Sequence, residues 1–189
     1  PRTAVINNLE FDHADIFDDL EAIKKQFHHL VRTIPGNGQI MHPHGETAID
    51  AVLSMGCWTK RQQFGVAVPN EICQKLAANG GTFWNAELHD DHGGEFELIK
   101  YGQGSTGEVV SRNLISWQLA GLHNVKNGMA ALAAAHHVGV DVNSAAEALM
   151  KFEGVKRRME LRGAVAGVYV YDDFAHHPTA IETTLKGMA

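Results

Sequence analysis

The sequence has few cysteines, no excess of positive charge and no long apolar run, and each absence removes a class of function. Only Cys57 and Cys73 occur among 189 residues. That is too few for a disulfide framework, and they lack the paired spacing of a structural zinc site, so both read as free thiols. Formal net charge is -6 with histidine neutral, leaving no basic field to hold a phosphodiester backbone, and nucleic acid is not an expected partner. A single nucleotide remains compatible with that acidity, because local amides, a metal ion and a few cations suffice to bind one. No apolar stretch reaches the length of a membrane span and the first residues do not resemble a signal peptide, so no membrane partner and a cytoplasmic setting are expected. The chain opens at Pro1 and enters almost directly into a strand, as if cut from a longer protein.

What is present reads first as alternating strands and helices. Ala4-Val5-Ile6 is a short apolar run delivering a polar loop, Asn7 to Asp15, the pattern of a buried strand with a loop at its carboxyl end. From Asp18 to Arg32, Leu20, Ile23, Phe27, Leu30 and Val31 recur at helical spacing, with Asp18 or Asp19 placed as cap. Pro35 to Gly38 is a turn, Gln39 to Met41 begins a strand, Thr47 to Leu53 is a short helix, and Gly56-Cys57-Trp58 reads as a strand edge. Between Thr82 and Leu119 the texture changes to three alternating strands separated by glycine-rich turns, which implies a small antiparallel sheet. Two helices follow, an alanine-rich one over His123 to His137 closed by Gly139 and a second over Asn143 to Phe152 capped by Asn143 or Ser144. One or two valine- and tyrosine-rich strands come after Ala164, and Pro178 opens a last helix.

Four clusters could carry chemistry. Glu10, Asp12, His13 and Asp15 crowd the loop after the first strand, where α/β sheets place ligands; magnesium favours such oxygens, and an ordinary polar loop capping the next helix is the competing reading. In Gly121-Leu122-His123-Asn124-Val125-Lys126-Asn127, His123 and Asn127 are four apart and share one helix face. They could offer donors and acceptors to a flat heteroaromatic ring, although capping by Asn124 explains the same residues. Arg157 and Arg158 either complement a helix dipole or fork onto phosphate oxygens. Asp172, Asp173, His176 and His177 lie in a strand-to-helix turn, able to orient an amine or hold nucleotide hydroxyls. The remaining histidines carry no ligand pattern: His28, His29, His136 and His137 read as surface or packing residues on helices, and His42, His44, His89 and His92 as turn residues.

Singly these motifs are weak, but their order along the chain resembles the motif series of the Mur ligase family, and the resemblance runs almost from end to end. It implies an α/β fold: a central ATP-binding domain, with a mixed sheet flanked by helices plus a small antiparallel sheet, over residues 1–161. That domain would be incomplete here, and residues 162–189 would begin a Rossmann-like C-terminal domain. Within the family, Asn8 to Asp15, Gln26 to Leu30 and Asp173 to Thr179 most resemble the branch that joins UDP-N-acetylmuramate to a cell-wall tripeptide, with the alanine-adding branch as alternative. The resemblance further implies ATP and Mg²⁺ as cofactors and an acyl phosphate that an incoming amine converts to an amide. By position it implies His13 as a magnesium ligand and His123, Asn124 and Asn127 at the adenine. Arg157 or Arg158 would contact phosphate or ribose, and Asp173 and His176 would lie near nucleotide and substrate. No Gly-x-x-Gly-Lys-Thr/Ser phosphate loop occurs in these residues, so it is expected upstream of Pro1, and the 189 residues alone are expected to be inactive. The segment after Gly163, with apolar strands and little to cover them, is expected to be disordered or packed on a second copy.

Overall fold

The computed structural model describes residues 1–12, 14–79, 81–102 and 106–187. Six strands, β1 (Thr3–Val5), β2 (Gln39–Pro43), β3 (Lys60–Val66), β4 (Phe83–Leu88), β5 (Glu95–Tyr101) and β6 (Val109–Ser116), form one sheet in sequence order. The first four are parallel and the last two antiparallel. The crossovers carry helices α1 (Leu20–Thr33), α2 (Thr47–Ser54) and α3 (Asn70–Ala78). The antiparallel strands expected after Thr82 are therefore present, and they continue the main sheet. The separate antiparallel pair is β7 (Glu160–Val165) with β8 (Val168–Asp172), followed by α6 (Pro178–Lys186).

Alternation along the strands sorts side chains onto the two faces of the sheet, in three core clusters. On one face Ile40 packs with Ile23 and Val31 of α1 and with Ile49, Val52 and Leu53 of α2, while Phe83, Ile99 and Tyr101 pack with Cys73 and Ala77 of α3. On the other face Met41, Phe64, Trp84, Phe96, Leu98 and Ile115 meet α4 (Leu122–His137) and α5 (Val142–Met150). Small residues of α4 such as Ala130 and Ala133 let it lie close against the sheet. Each buried large side chain removes enough apolar surface to stabilise the fold by about 1.5–3 kcal/mol.

Local chemistry explains several boundaries. Asp19, one of the two expected caps, accepts the N–H of Ala22 at 2.8 Å and starts α1. For α5 the cap is Asp141 and not Asn143 or Ser144: its carboxylate accepts the N–H of Ser144 at 3.1 Å, and the helix starts at Val142, one residue before the expected start. Gly56 to Trp58 is irregular, and the strand begins at Lys60 because the Trp58 indole and the Thr59 hydroxyl both donate to the Ile34 carbonyl and tie this stretch to the end of α1. His42 sits fully buried within β2 and outside any turn, and burial holds its pKa below the usual histidine value. Residues 164–187 are folded, contrary to the expectation of disorder, because β7 pairs with β8 and α6 starts at Pro178.

Candidate nucleotide-binding cleft

The carboxyl end of β1 and the amino end of α4 meet on one edge of the sheet, where parallel α/β sheets place their ligands. An open cleft of about 2460 Å³ lies there, walled by Asn7 and Glu10 from the loop after β1, by His123 and Asn127 from α4, and by Arg158, Asp173 and His177 from the C-terminal segment. Two hydrogen bonds tie β1 and the loop after it to α4. The Thr3 hydroxyl is 2.8 Å from His137 Nδ1, and the Asn7 amide donates to Asn127 Oδ1 at 2.5 Å. The Asn7 Oδ1 atom is buried and unpartnered. Asn7 lines the cleft, and sequence reading places it in the loop after the first strand without giving it a role, because the residue it holds lies 120 positions away.

The amino end of α4 is shaped for close approach. Gly121 takes φ of 97°, which glycine adopts freely, and donates its N–H to His92 O at 2.6 Å. The Asn124 amide donates to Ala120 O at 2.7 Å and so shapes the turn, but it does not cap α4 as the capping reading expects: the cap position is Gly121, with no side-chain cap bond. His123 Nδ1 is buried without a partner. Burial, assisted by the Arg158 charge and opposed by Asp173, holds the His123 pKa below the usual histidine value and favours a neutral ring. Lys126 reaches toward Glu46, 3.8 Å away on the cleft rim.

The C-terminal segment is organised by Asp173. One of its oxygens accepts the N–H of Ala175 at 2.7 Å and faces Arg158 Nη1 at 4.0 Å, and the other accepts the N–H of Met159 at 2.9 Å. Arg158 is thereby held on the cleft wall. Arg157 is held elsewhere, with Nε 3.6 Å from Asp172 and its guanidinium over the Phe174 ring at 5.0 Å. Of the two adjacent histidines, His177 lines the cleft, 3.9 Å from Glu10, while His176 packs on Phe174. Thus His123, Asn124, Asn127, Arg158 and Asp173 converge on one cleft, and Arg157 and His176 stand off its wall. His13 lies outside the described residues.

The chain is similar to known proteins along its whole length. The family model described as the Mur ligase middle domain matches residues 1–135, and the one described as the Mur ligase, glutamate ligase domain matches residues 157–189. The UDP-N-acetylmuramate--L-alanyl-gamma-D-glutamyl-meso-2,6-diaminoheptandioate ligase of Escherichia coli (strain K12) is 47% identical over 100% of this chain and 36% of its own length. The ligase of the same name from Haemophilus influenzae is 42% identical, over 100% of this chain and 37% of its own. A crystal structure of a murein peptide ligase from Psychrobacter arcticus 273-4 superposes with a TM-score of 0.71 at 42% identity, covering 100% of this chain and 35% of that one. The chain therefore spans little more than a third of the length of the curated relatives it matches. Its middle-domain match extends over most of its residues and is joined by the cleft-forming C-terminal match, and the chain belongs to the Mur ligase family.

Proposed function

We propose that the protein containing this chain is an ATP-dependent ligase that joins UDP-N-acetylmuramate to L-alanyl-γ-D-glutamyl-meso-diaminopimelate through an acyl phosphate. The observation that carries this reading is the convergence on one cleft of Asn7, His123, Asn127, Arg158 and Asp173, drawn from three separate stretches of chain. The names of the relatives supply the substrate class.

The residues present fit a nucleotide. Two buried polar atoms, Asn7 Oδ1 and His123 Nδ1, have no protein partner and border the cleft, and such groups are costly unless something satisfies them. His123 and Asn127, on one helix face, are proposed to meet the adenine edge, with Asn124 shaping the turn beneath them. Arg158, with its planar fork of N–H donors, is proposed as the phosphate contact, positioned by Asp173. Arg157 and His176 are proposed to complete the site from behind this contact. For magnesium the loop after β1 offers the hard oxygens of Glu10 and Asp12, as that ion prefers, with His13 proposed as the further ligand. Bound magnesium would offset the negative charge that otherwise repels a carboxylate from a phosphate.

Residues 1–161 and 162–189 were expected to divide into central and C-terminal domains. Because β7 starts at Glu160 and among the described residues pairs only with β8, we place the proposed division between α5 and β7. A cytoplasmic location is proposed with the reaction. Among the described residues no helix is long and apolar enough to cross a membrane. The test is phosphate release by the full-length protein with ATP, Mg²⁺ and UDP-N-acetylmuramate, comparing L-alanine with the tripeptide as amine. Turnover with the tripeptide alone supports the proposal, turnover with alanine alone moves the protein to the alanine-adding branch, and turnover with neither overturns the ligase reading.

A further inference from the structure

The hairpin turn between β4 and β5 lies outside the cleft, yet it supports the part of α4 that borders it. The turn is organised by one carboxylate. Asp90 Oδ1 accepts the N–H of His92 at 2.7 Å and of Gly94 at 3.1 Å, and Oδ2 accepts that of Glu95 at 2.5 Å. Desolvation opposes its ionisation, but these backbone donors prevail and hold the Asp90 pKa below the usual carboxylate value.

Three carbonyls of this turn are taken by the stretch leading into α4. His92 O accepts the N–H of Gly121 at 2.6 Å, Gly93 O accepts the Trp117 indole N–H at 2.8 Å, and Gly94 O accepts the Trp117 backbone N–H at 3.0 Å. The contact is also steric. Gly93 has φ of 73°, and a Cβ there would stand 2.5 Å from Val125 Cγ2, so the turn backbone lies directly against the first turn of α4. The chain runs from Trp117 through Gly121 to His123 with these points as its external anchors.

We propose that Asp90 is a positioning residue for the nucleotide site: by holding the 90–95 turn in register it sets the place and tilt of Gly121, His123 and Asn124 at the start of α4. The inference rests on the nucleotide reading of α4 given above. It assigns to Asp90 no contact with nucleotide or substrate. Its effect travels through the backbone carbonyls of His92, Gly93 and Gly94.

The test uses the full-length protein with Asp90→Ala and Asp90→Asn, the second retaining one acceptor oxygen and serving where the first fails to fold. Hydrogen exchange is followed by mass spectrometry on peptides covering residues 89–95, 117–125 and 39–43, and KM for ATP is measured beside kcat. Asp90→Ala is expected to speed exchange in both of the first two peptides and not the third, and to raise KM for ATP roughly 10-fold, the scale of one or two lost hydrogen bonds, with kcat changed less. Asp90→Asn should fall between it and the parent. Acceleration confined to 89–95 would overturn the inference. So would an unchanged KM when His123→Ala, run in parallel, raises it. Should His123→Ala itself leave KM for ATP unchanged, the nucleotide reading of α4 is what fails, and the inference falls with it.

Discussion

Replacing Gly128 by alanine sets helix propensity against packing, and the structure determines which prevails. In the interior of an exposed helix the change would favour folding by about 1 kcal/mol. In α4 the added Cβ would stand 2.8 Å from Cη2 and 3.1 Å from Cζ3 of Trp117, and 3.2 Å from Cδ2 of Leu149 in α5. Leucine has a rotamer to spare, but the indole does not. Trp117 is 8% exposed, anchored by its N–H to Gly93 O at 2.8 Å and edge-on to Phe96 at 5.6 Å. Moving the ring breaks that hydrogen bond, and moving α4 disturbs its contact with the sheet. Overpacking of this kind costs about 1–3 kcal/mol. The balance is a net loss of about 1 kcal/mol, which in a chain of this size lowers Tm by roughly 2–4 °C.

Urea denaturation of the 189-residue chain, read by tryptophan fluorescence, measures that loss. Gly163→Ala is the matched control, because no atom lies within 4 Å of the Cβ it would gain, and it is expected to be neutral or slightly stabilising. If Gly128→Ala raised stability by about the full propensity gain of 1 kcal/mol, the ring would not be pinned and the packing argument would be refuted.

Alkaline pH is expected to destabilise the fold through two buried acids. Burial pushes the Cys73 thiol up from 9.0 to about 11 and the Tyr101 phenol up from 10.0 to about 12. The folded state keeps protons that the unfolded chain releases, so this stability is complete below pH 9 and is lost as pH rises toward 11 and 12; Cys73→Ala should flatten the decline in Tm between pH 9 and 11. Lys100 has His136 as its polar partner, Nζ to Nε2 2.7 Å, and burial holds its pKa below the usual lysine value. Below that depressed pKa the charge is a burden, so Lys100→Met is expected to leave Tm at pH 7 unchanged or raise it, and a clear fall would show that its contact with the Trp84 ring at 5.4 Å outweighs desolvation. Asn7→Ala removes the donor that holds Asn127 and is expected to raise KM for ATP roughly 10-fold in the full-length protein; an unchanged KM would remove Asn127 from the nucleotide site.

The elements legible in the sequence are those whose burial follows a local period. Ile23, Phe27 and Val31 mark one face of α1, and small residues mark the buried length of α4. β3 and α3 escape such reading. Lys60, Arg61, Gln62 and Gln63 open β3 with four polar residues, yet the strand lies between β2 and β4, and Gln62 spends its side-chain oxygen on the Trp84 indole N–H at 2.8 Å. α3 follows with only nine residues, and its buried positions are Cys73 and Ala77, too small a stripe to announce a helix. The cleft divides in the same way. The order of its motifs is a property of the chain, so His123, Asn127, Arg158 and Asp173 could be named before any fold was known. The partners that aim them cannot be, since Asn7 meets Asn127 across 120 positions and Asp90 acts on α4 through the carbonyls of His92 and Gly93. A backbone carbonyl looks alike in every residue, so a site held in place by carbonyls becomes readable only when the turn that presents them has been folded.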